Sequence, residues 1–330
     1  MAIDILNIQP SVISRDLKGK YVLIYGAPKV GKTSFAAHFK KNLILAFEMG
    51  TNALDGVYVQ PVQKWSEFKL ILRQLESPQA HERYDTITID TASIAYDLCE
   101  QHVCLQNGVQ KISELPWGSG YAMVKNEFES TLRKITMMGY GLILIAHSEV
   151  RKEVVNDSEK EFYSPALNKR CYEICNRLVD VIGYIALEWD ENGQAHRYLY
   201  TRQTPQVMAG SRYKYLPPKI EFGYQQLVDA IALALDKQAE LDGATIVDTV
   251  DKPAVEESLD FNKVRAKAQE LWTKLVGVGD DANPDMAMAI LKKIEITRGH
   301  RMKLSEFTED QVDLLNLVVG EMEQMEDGAK

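Results

Sequence analysis

The chain has 330 residues, of which 26% are charged and 45% are hydrophobic, and its formal net charge is −9. This composition is ordinary for a globular protein with one α/β domain and a smaller addition, and it excludes an overall basic surface, so that any nucleic-acid surface must be local. Because no apolar run approaches the roughly 20 residues of a membrane helix and residues 1–16 lack a secretion signal, we expect a cytoplasmic protein without membrane contact.

A phosphate-binding loop is the first motif along the chain. Residues 21–34 read YVLIYGAPKVGKTS, which is an apolar strand, a glycine-rich turn and the start of a helix. A chance match in a glycine-rich turn is the alternative, but the strand before it and the helix after it disfavour this. The loop predicts a nucleoside triphosphate site, in which Lys32 reaches the β- and γ-phosphates and Thr33 holds Mg²⁺. The predicted nucleotide-binding residues are Gly26, Ala27, Pro28, Lys29, Val30, Gly31, Lys32, Thr33 and Ser34.

Polar residues end the next buried strands. Glu48 follows NLILAF, Asp90 ends TITID, and His147 ends LILIA. Ligands of open α/β sheets bind at the carboxyl ends of the strands. We therefore expect Glu48 to activate the attacking water, Asp90 to support Mg²⁺, and His147 to sense the γ-phosphate. The alternatives are that Glu48 caps a turn and that His147 is hydrogen-bonded in the core.

Two polar stretches lie in this part of the chain, and the second is a candidate for contact with single-stranded DNA. Residues 107–121 hold three glycines, a proline and a tryptophan, which predicts a long loop. Residues 148–166 mix cations, aromatics and carboxylates, a pattern that favours either a DNA surface or a solvated hairpin. The candidate DNA-binding residues are Arg151, Lys152, Lys160, Phe162, Tyr163, Lys169 and Arg170.

Later strands carry cations without an evident partner. Arg202, Arg212 and Lys214 lie in or near predicted strands beyond residue 178. One of them is a candidate arginine finger, or its lysine equivalent, that completes the ATP site of a neighbouring subunit. The alternative is that each is a surface charge.

Composition divides the chain into three parts. Residues 1–236 form the predicted ATPase core. Residues 237–260 are rich in carboxylates and lack sustained periodicity, which predicts a flexible linker. Residues 261–330 show three amphipathic helices and an acidic tail, with Asn283-Pro284 as a helix start and Thr308 with Gln311 as a capping box.

The four cysteines do not make a disulfide framework in a chain of this size. Cys171 and Cys175 would share a helix face, and Cys99 and Cys104 lie five residues apart. A four-thiolate zinc site is the alternative, although neither pair has the usual CxxC spacing. We expect reduced, mostly buried thiols.

Residues 15–236 resemble the RecA-like family, on the motifs GAPKVGKTS, AFEMGTNALDG, YDTITIDTAS and LILIAHSEV in that order. More narrowly, they look like the phage single-strand annealing ATPases of the fourth Sak group. The resemblance implies an α/β fold with a mostly parallel sheet flanked by helices, here followed by a small C-terminal all-α module. It assigns the catalytic glutamate to Glu48, the Mg²⁺ aspartate to Asp90 and the γ-phosphate sensor to His147, where RecA carries glutamine. By position, residues 107–121 and 149–169 correspond to the family's two DNA-binding loops.

Three functions are candidates for a P-loop protein of this sequence. The first is an ATP-dependent recombination or annealing protein that binds single-stranded DNA as a ring or filament, hydrolyses ATP between subunits with stimulation by DNA, and works beside a single-strand-binding or replication protein. The second is a helicase loader, motor or switch that acts on a protein partner. The third is a small-molecule kinase, which lacks support because no arginine-rich lid is visible. The first is favoured, with ATP and Mg²⁺ as ligands.

Overall fold

The computed structural model describes residues 13–15, 19–50, 54–155, 158–247, 260–277, 279, 282–298 and 303–328. The chain divides into two units, of which the larger spans Ser11–Val255 and the smaller contains the C-terminal helices. The strands in the described part are β1 (Ile13–Ser14), β2 (Tyr21–Gly26), β3 (Asn42–Ala46), β4 (Tyr58–Pro61), β5 (Thr86–Asp90), β6 (Gly141–Val155), β7 (Ser158–Pro165), β8 (Val181–Trp189), β9 (Ala195–Tyr200), β10 (Gly210–Ser211), β11 (Lys219–Glu221) and β12 (Ile246–Val247). The helices are α1 (Lys32–Ala37), α2 (Trp65–Leu75), α3 (Pro78–Arg83), α4 (Ala92–Gln106), α5 (Ser119–Met137), α6 (Lys169–Leu178), α7 (Tyr224–Asp242), α8 (Phe261–Val276), α9 (Pro284–Arg298) and α10 (Val312–Gly328).

A mostly parallel sheet organises the larger unit, with its strands in the order β11-β9-β8-β2-β6-β5-β3-β4. The six strands from β8 to β4 run parallel, whereas β9 and β11 extend the sheet in antiparallel pairing. Helices α2, α4, α5 and α6 cover one face, and α1 and α7 cover the other. The predicted α/β fold, with a mostly parallel sheet flanked by helices, is confirmed.

Burial on both faces explains why the central strands are uniformly apolar. Every residue of β3 and β5 is buried, and so are five of the six residues of β2. On one face an aromatic cluster of Trp65, Phe68 and Phe128 packs against the sheet. Parallel strands covered on both faces read as continuous apolar runs, which is the pattern that identified them in the sequence.

One part-exposed charged contact on this face allows a test of stability. The Trp65 indole is fully buried, and its Nε1 donates to Glu127 Oε1 over 2.8 Å, while Lys69 Nζ lies 2.9 Å from the same oxygen. Burial alone would raise the pKa of the Glu127 carboxyl, but hydrogen bonds from Lys69 and Trp65 outweigh burial and lower this pKa. The contribution of the charge to stability is therefore present above the ordinary glutamate pKa of about 4.3 and is lost as the pH falls through the lowered pKa.

We expect Glu127→Gln to reduce the free energy of unfolding by about 1 kcal/mol at pH 7. Glu127→Ala should cost about 2–3 kcal/mol, since the buried indole N–H then has no acceptor. Urea unfolding followed by circular dichroism at pH 7 and at about pH 3 measures both. The deficit of Glu127→Gln should be smaller at the lower pH, and an equal deficit at both pH values would contradict the charge contribution.

The predicted linker at 237–260 begins too early. Helix α7 continues to Asp242 and ends at Gly243, whose φ of 71° suits glycine. Asp242, one of the carboxylates of the predicted linker, pairs with Lys214, and Asp236 just before it pairs with Arg15. Strand β12 then pairs with β1. Residues 248–259 of the predicted linker lie outside the described residues.

The smaller unit has the three predicted helices around its own core. Ala268, Ile290, Ile294, Leu315 and Val318 form the buried centre. The caps are as predicted, since Asn283 Oδ1 accepts from the amides of residues 285 and 286, and Thr308 and Gln311 form a capping box.

The prediction of an acidic tail after the last helix is wrong up to residue 328, because α10 extends through these residues. Glu321, Glu323 and Glu326 pair with lysines of α8 and α9, namely Lys293, Lys267 and Lys274. These carboxylates therefore belong to the packed helices.

The four cysteines, in the larger unit, are buried free thiols. Within the described residues, no helix has the length and apolarity to cross a membrane.

Candidate active site

The strand ends predicted to carry the chemistry meet at one edge of the sheet. Gly26 of β2 lies opposite His147 of β6, and Asp90 of β5 lies opposite Ala46 of β3. The amides of Phe47 and Glu48 both donate to the carbonyl of Asp90, over 2.7 and 3.0 Å. Glu48 is therefore fixed beside Asp90 by the backbone, two residues beyond the end of its strand.

The loop between β2 and α1 has the backbone of a phosphate cradle. Gly31 has a φ of 107°, a conformation that side chains with a Cβ avoid, and Lys29 has a φ of 63°. A Cβ at Gly26 would approach the carbonyl oxygen of Ile185 to 3.1 Å, and one at Gly31 would lie 2.7 Å from Arg197 Nη1. Close approach to backbone therefore favours glycine at position 26, and the positive φ favours it at position 31. The other predicted loop residues form a more exposed rim: Ala27, Pro28, Lys29, Val30 and Ser34.

Lys32 is a buried cation at the centre of the loop. Its side chain is 6% exposed, and Nζ donates to the carbonyl oxygens of Gly26 and Ala27 over 3.0 and 2.8 Å. Burial lowers the pKa of Lys32, against the opposing effect of the Asp90 and Glu48 carboxylates. A desolvated ammonium held by loop carbonyls fits a site for phosphate oxygens.

Thr33 and Asp90 form the candidate Mg²⁺ site. Thr33 Oγ1 donates to Asp90 Oδ2 over 2.7 Å, and Asp90 is 7% exposed. Burial raises the pKa of the Asp90 carboxyl, and the hydrogen bond from Thr33 opposes this rise. A hydroxyl and a single carboxylate are hard oxygen donors, and Mg²⁺ in such sites takes its remaining ligands from phosphates and water. The donor set therefore fits Mg²⁺, which when bound neutralises charge on the phosphates.

Glu48 and His147 form a pair at the mouth of the site. His147 Nε2 lies 3.1 Å from Glu48 Oε2, and His147 Nδ1 lies 3.5 Å from Lys32 Nζ. Both side chains are part-exposed, so water can reach the carboxylate. The structure thus brings together Lys32, Thr33, Glu48, Asp90 and His147, five residues taken from four separate segments.

A pocket of about 410 Å³ lies beside the loop, and no feature of the sequence predicted it. Phe35, Arg197, Phe222 and Tyr224 are among the residues that line it. Arg197 Nη1 donates to the carbonyl of Val30 over 3.2 Å, and its guanidinium lies over the Phe222 ring at 5.4 Å. Aromatic and guanidinium surfaces next to a phosphate loop suit a nucleoside. No local motif indicates Arg197, because only the antiparallel pairing of β8 with β9 places it at the loop.

The three predicted trans cations are bonded within their own chain. Arg202 donates to the carbonyls of Ser211, Tyr213 and Lys214. Arg212 pairs with Asp180 over 3.0 Å, and Lys214 pairs with Asp242 over 3.0 Å. Strand β10, just before Arg212, pairs with the first residues of β8, at the end of that strand opposite to the partner of Gly26. These contacts do not support a role as fingers in a neighbouring site.

The stretch at 148–166 is a hairpin of β6 and β7 that continues beyond the neighbouring strands. Two of its candidate cations are engaged with the hairpin's own acceptors: Arg151 bonds to Glu149 and to the carbonyl of Leu167, and Lys152 pairs with Glu161. Phe162 is half-buried. The side chain of Lys160 lies outside the described residues.

Tyr163 anchors the hairpin at its root. Its ring stacks on that of Tyr184 at 5.1 Å, and its carbonyl accepts from the Tyr25 hydroxyl over 3.0 Å. Tyr184 therefore covers part of the ring surface of Tyr163, whereas the sequence predicted that this ring would be available to stack on a base. Of the remaining candidates, Lys169 is exposed and Arg170 is stacked on Tyr121 at 4.1 Å.

The predicted loop at 107–121 is shorter and more ordered than expected. Two 3₁₀ turns, Ile112–Glu114 and Pro116–Gly118, lead into α5. Trp117, in the second turn, has a φ of 55° and is fully exposed. Ile112 is buried at the base of this loop. The stack of Arg170 on Tyr121 joins the first turn of α5 to the first turn of α6. Residues 107–118, the Trp117 loop, precede α5, and the hairpin precedes α6, so this contact brings the ends of the two segments close together.

Comparisons with known proteins found a relative, similar solved structures and a family model. The SPbeta prophage-derived uncharacterized protein YorG of Bacillus subtilis (strain 168) is 28% identical over 340 residues, which cover 98% of this chain and 99% of YorG. The flagellar accessory protein FlaH from Methanocaldococcus jannaschii has 14% identity and a TM-score of 0.35, over 62% of this chain and 85% of FlaH. The KaiC-like protein PH0186 from Pyrococcus horikoshii OT3 has 15% identity and a TM-score of 0.35, over 62% and 86%. A family model described as an AAA domain matches residues 18–213, more than half of the chain, and the protein therefore belongs to the AAA-domain family of P-loop ATPases.

Proposed function

We propose that the protein binds single-stranded DNA under the control of ATP and acts in recombination or strand annealing. The observation that carries this proposal is the course of β6. His147 lies within the nucleotide site, and the next residues of the same strand form the hairpin that continues beyond the sheet. A change at the phosphates can thus be transmitted along a single strand to a surface that holds cations and aromatic rings. The prophage origin of the YorG relative supports a role in the life cycle of a phage.

The nucleotide part of the proposal assigns one task to each residue. Lys32 and the loop amides bind the phosphates, and Thr33 and Asp90 hold Mg²⁺. Glu48 orients the attacking water and takes its proton. The pocket at Arg197 and Phe222 accommodates the nucleoside. Hydrolysis then lowers the affinity for DNA.

The DNA part of the proposal centres on Trp117. Stacking of a base on an aromatic ring contributes about 1–3 kcal/mol, and a fully exposed ring on an ordered loop is available for it. Lys169, which is exposed at the start of the neighbouring helix α6, supplies charge for phosphates. The part-exposed mouth at Glu48 and His147 leaves room for a second copy, so that ATP lies between subunits of a ring or filament and favours the assembled, DNA-binding form.

We expect the protein to bind a fluorescently labelled oligo(dT) of about 30 nucleotides more tightly with a non-hydrolysable ATP analogue than with ADP. Fluorescence anisotropy over a range of salt concentrations measures this affinity, which should fall steeply with salt because phosphate contacts release counterions. Trp117→Ala should weaken binding roughly 5- to 100-fold through the loss of one stacked base, with ATP affinity unchanged.

Trp189→Ala is the matched control, because Trp189 is also an exposed tryptophan but lies on β8, outside the Trp117 loop and the β6–β7 hairpin. It should bind DNA like the wild type. Equal losses in both variants would remove the role of Trp117. Absence of binding at low salt with the analogue present would overturn the DNA proposal, and ATP-dependent capture of a replication protein in its place would favour a switch that acts on a protein partner.

A further inference from the structure

A second pocket, of about 400 Å³, lies between helices α5 and α6, and its volume is within the range of ligand sites. Its lining comes from the C-terminal halves of both helices and from Arg212. Strand β10, just before Arg212, pairs with the first residues of β8, at the end of that strand opposite to the partner of Gly26. The pocket is therefore remote from the phosphate loop, and the proposed function makes no use of it.

The lining of this pocket has an aliphatic interior and a cationic rim. Ile174 is buried, Leu178 is half-buried, and Met137 at the end of α5 is 81% exposed. Three arginines surround these side chains: Arg133, Arg177 and Arg212. None of the described lining residues is aromatic. The pocket thus suits an apolar group that carries negative charge beside it.

The arginines carry more charge than the neighbouring carboxylates neutralise. Arg177 Nη2 pairs with Glu129 Oε2 over 2.9 Å, and Arg212 Nη1 pairs with Asp180 Oδ1 over 3.0 Å. The guanidinium of Arg133 makes no hydrogen bond or ion pair within the part of the chain that the structure describes. Three cations and two carboxylates leave a net positive charge at the pocket, although the whole chain has a formal charge of −9.

Neutralisation of helix ends explains only part of this arrangement. Arg212 Nη2 donates to the carbonyl of Arg177 over 2.5 Å, in the last turn of α6, where a cation complements the helix dipole. Arg133, by contrast, lies a full turn before the end of α5, and its guanidinium donates to no carbonyl among the described residues. The two ion pairs are more than half exposed at their arginines, and exposed pairs are weak enough to exchange partners. The rim therefore has guanidinium groups available to a ligand.

We infer that this pocket binds an acidic peptide segment of a partner protein, with one large apolar side chain against Ile174 and Met137 and with carboxylates on the arginines. Arginine binds carboxylates through two parallel hydrogen bonds, and arginine and methionine are both enriched at protein interfaces. A nucleic acid is the less favoured occupant, because the lining offers no aromatic ring for a base to stack on. The inference does not depend on the proposed binding of DNA or hydrolysis of ATP.

A short synthetic peptide tests the pocket on the full chain. The probe is a fluorescein-labelled, end-blocked peptide in which one phenylalanine has a pair of aspartates on each side. Fluorescence anisotropy at low salt should show saturable binding that weakens as salt screens the rim charges. Exchange of the aspartates for asparagine should abolish binding, and exchange of the phenylalanine for alanine should weaken it. Absence of saturable binding at low salt, or equal binding of the asparagine peptide, would overturn the inference.

Variants of the rim locate the binding. Arg133→Gln should weaken binding of the peptide by about 3- to 10-fold, between the effect of an exposed ion pair and that of a charged hydrogen bond. Glu129→Gln should strengthen it, since this carboxylate competes with the peptide for Arg177 and repels its charge. A gain of affinity also cannot result from a damaged fold. Weaker binding by Glu129→Gln would contradict the assignment.

Arg73→Gln is the matched control for Arg133→Gln. Arg73 is an exposed arginine of α2 without a hydrogen bond or ion pair to the described residues, and it lies outside the pocket. It should bind the peptide like the wild type, and equal losses in both variants would remove the pocket from the interaction. Unlabelled oligo(dT) should not displace the peptide. Displacement, together with weaker binding of labelled oligo(dT) by Arg133→Gln, would assign the pocket to nucleic acid and overturn the peptide proposal.

Discussion

Glu48→Gln is expected to lower the ATP turnover of the protein by about 10²- to 10⁴-fold, the usual contribution of a general base, with ATP affinity close to the wild-type value. Glutamine has the shape of glutamate but cannot take a proton from water. Glu48 lies beside Asp90 at the end of a central strand and is part-exposed, so its carboxylate can meet both a phosphate and a water molecule. Phosphate release gives kcat, and titration with a fluorescent ATP analogue gives the affinity.

The control for this variant is Glu191→Gln, a change of the same kind in the exposed turn between β8 and β9. It should leave turnover unchanged. Two outcomes would argue against Glu48 as the base: turnover within a few-fold of wild type in Glu48→Gln, or a loss of ATP affinity that accounts for the whole effect. The second would assign Glu48 to binding.

Lys32→Met should reduce ATP affinity by roughly 100-fold or more, since it removes charge-assisted hydrogen bonds that contribute about 1.5–3 kcal/mol each. Methionine fills a similar volume without the charge. Because burial lowers the pKa of Lys32, the folded protein disfavours its charged form, and the apolar variant should be at least as stable as the wild type when no nucleotide is present.

Thermal unfolding tests both halves of this prediction in one experiment. Without nucleotide, the midpoint of Lys32→Met should equal or exceed that of the wild type. Saturating ATP analogue with Mg²⁺ should raise the wild-type midpoint by the linkage of binding to folding and should not move that of the variant. A variant that unfolds at a clearly lower temperature would mean that Lys32 is needed for the fold. If the ATP analogue raised the unfolding midpoint of Lys32→Met as much as that of the wild type, Lys32 would be excluded from the binding of phosphate.

Local patterns were sufficient to locate the residues that the structure brings together at the loop. The glycine spacing of residues 26–33 requires a particular backbone, and the polar residues Glu48, Asp90 and His147 each follow an apolar run. In a parallel sheet the carboxyl ends of neighbouring strands share one edge, so this part of the site follows from short-range signals and one general rule.

Residues whose positions depend on antiparallel pairing or on long-range partners could not be found in this way. Arg197 reaches the loop only because β9 folds back along β8. Arg202 and Arg212 looked unpaired because their acceptors, Tyr213 and Asp180, are set by the fold. The carboxylates at the end of α7 and in α10 indicated a linker and a tail because their cationic partners are distant in the sequence.

The most direct test of the account is the rate of ATP hydrolysis by the full chain, with and without single-stranded DNA and with and without Mg²⁺. The account predicts hydrolysis that requires Mg²⁺, increases with single-stranded DNA, and is lost in Glu48→Gln and Lys32→Met. Two results would contradict a catalytic site built from these strand ends. One is hydrolysis at the wild-type rate in both variants, and the other is no hydrolysis by the wild type under any of the four conditions.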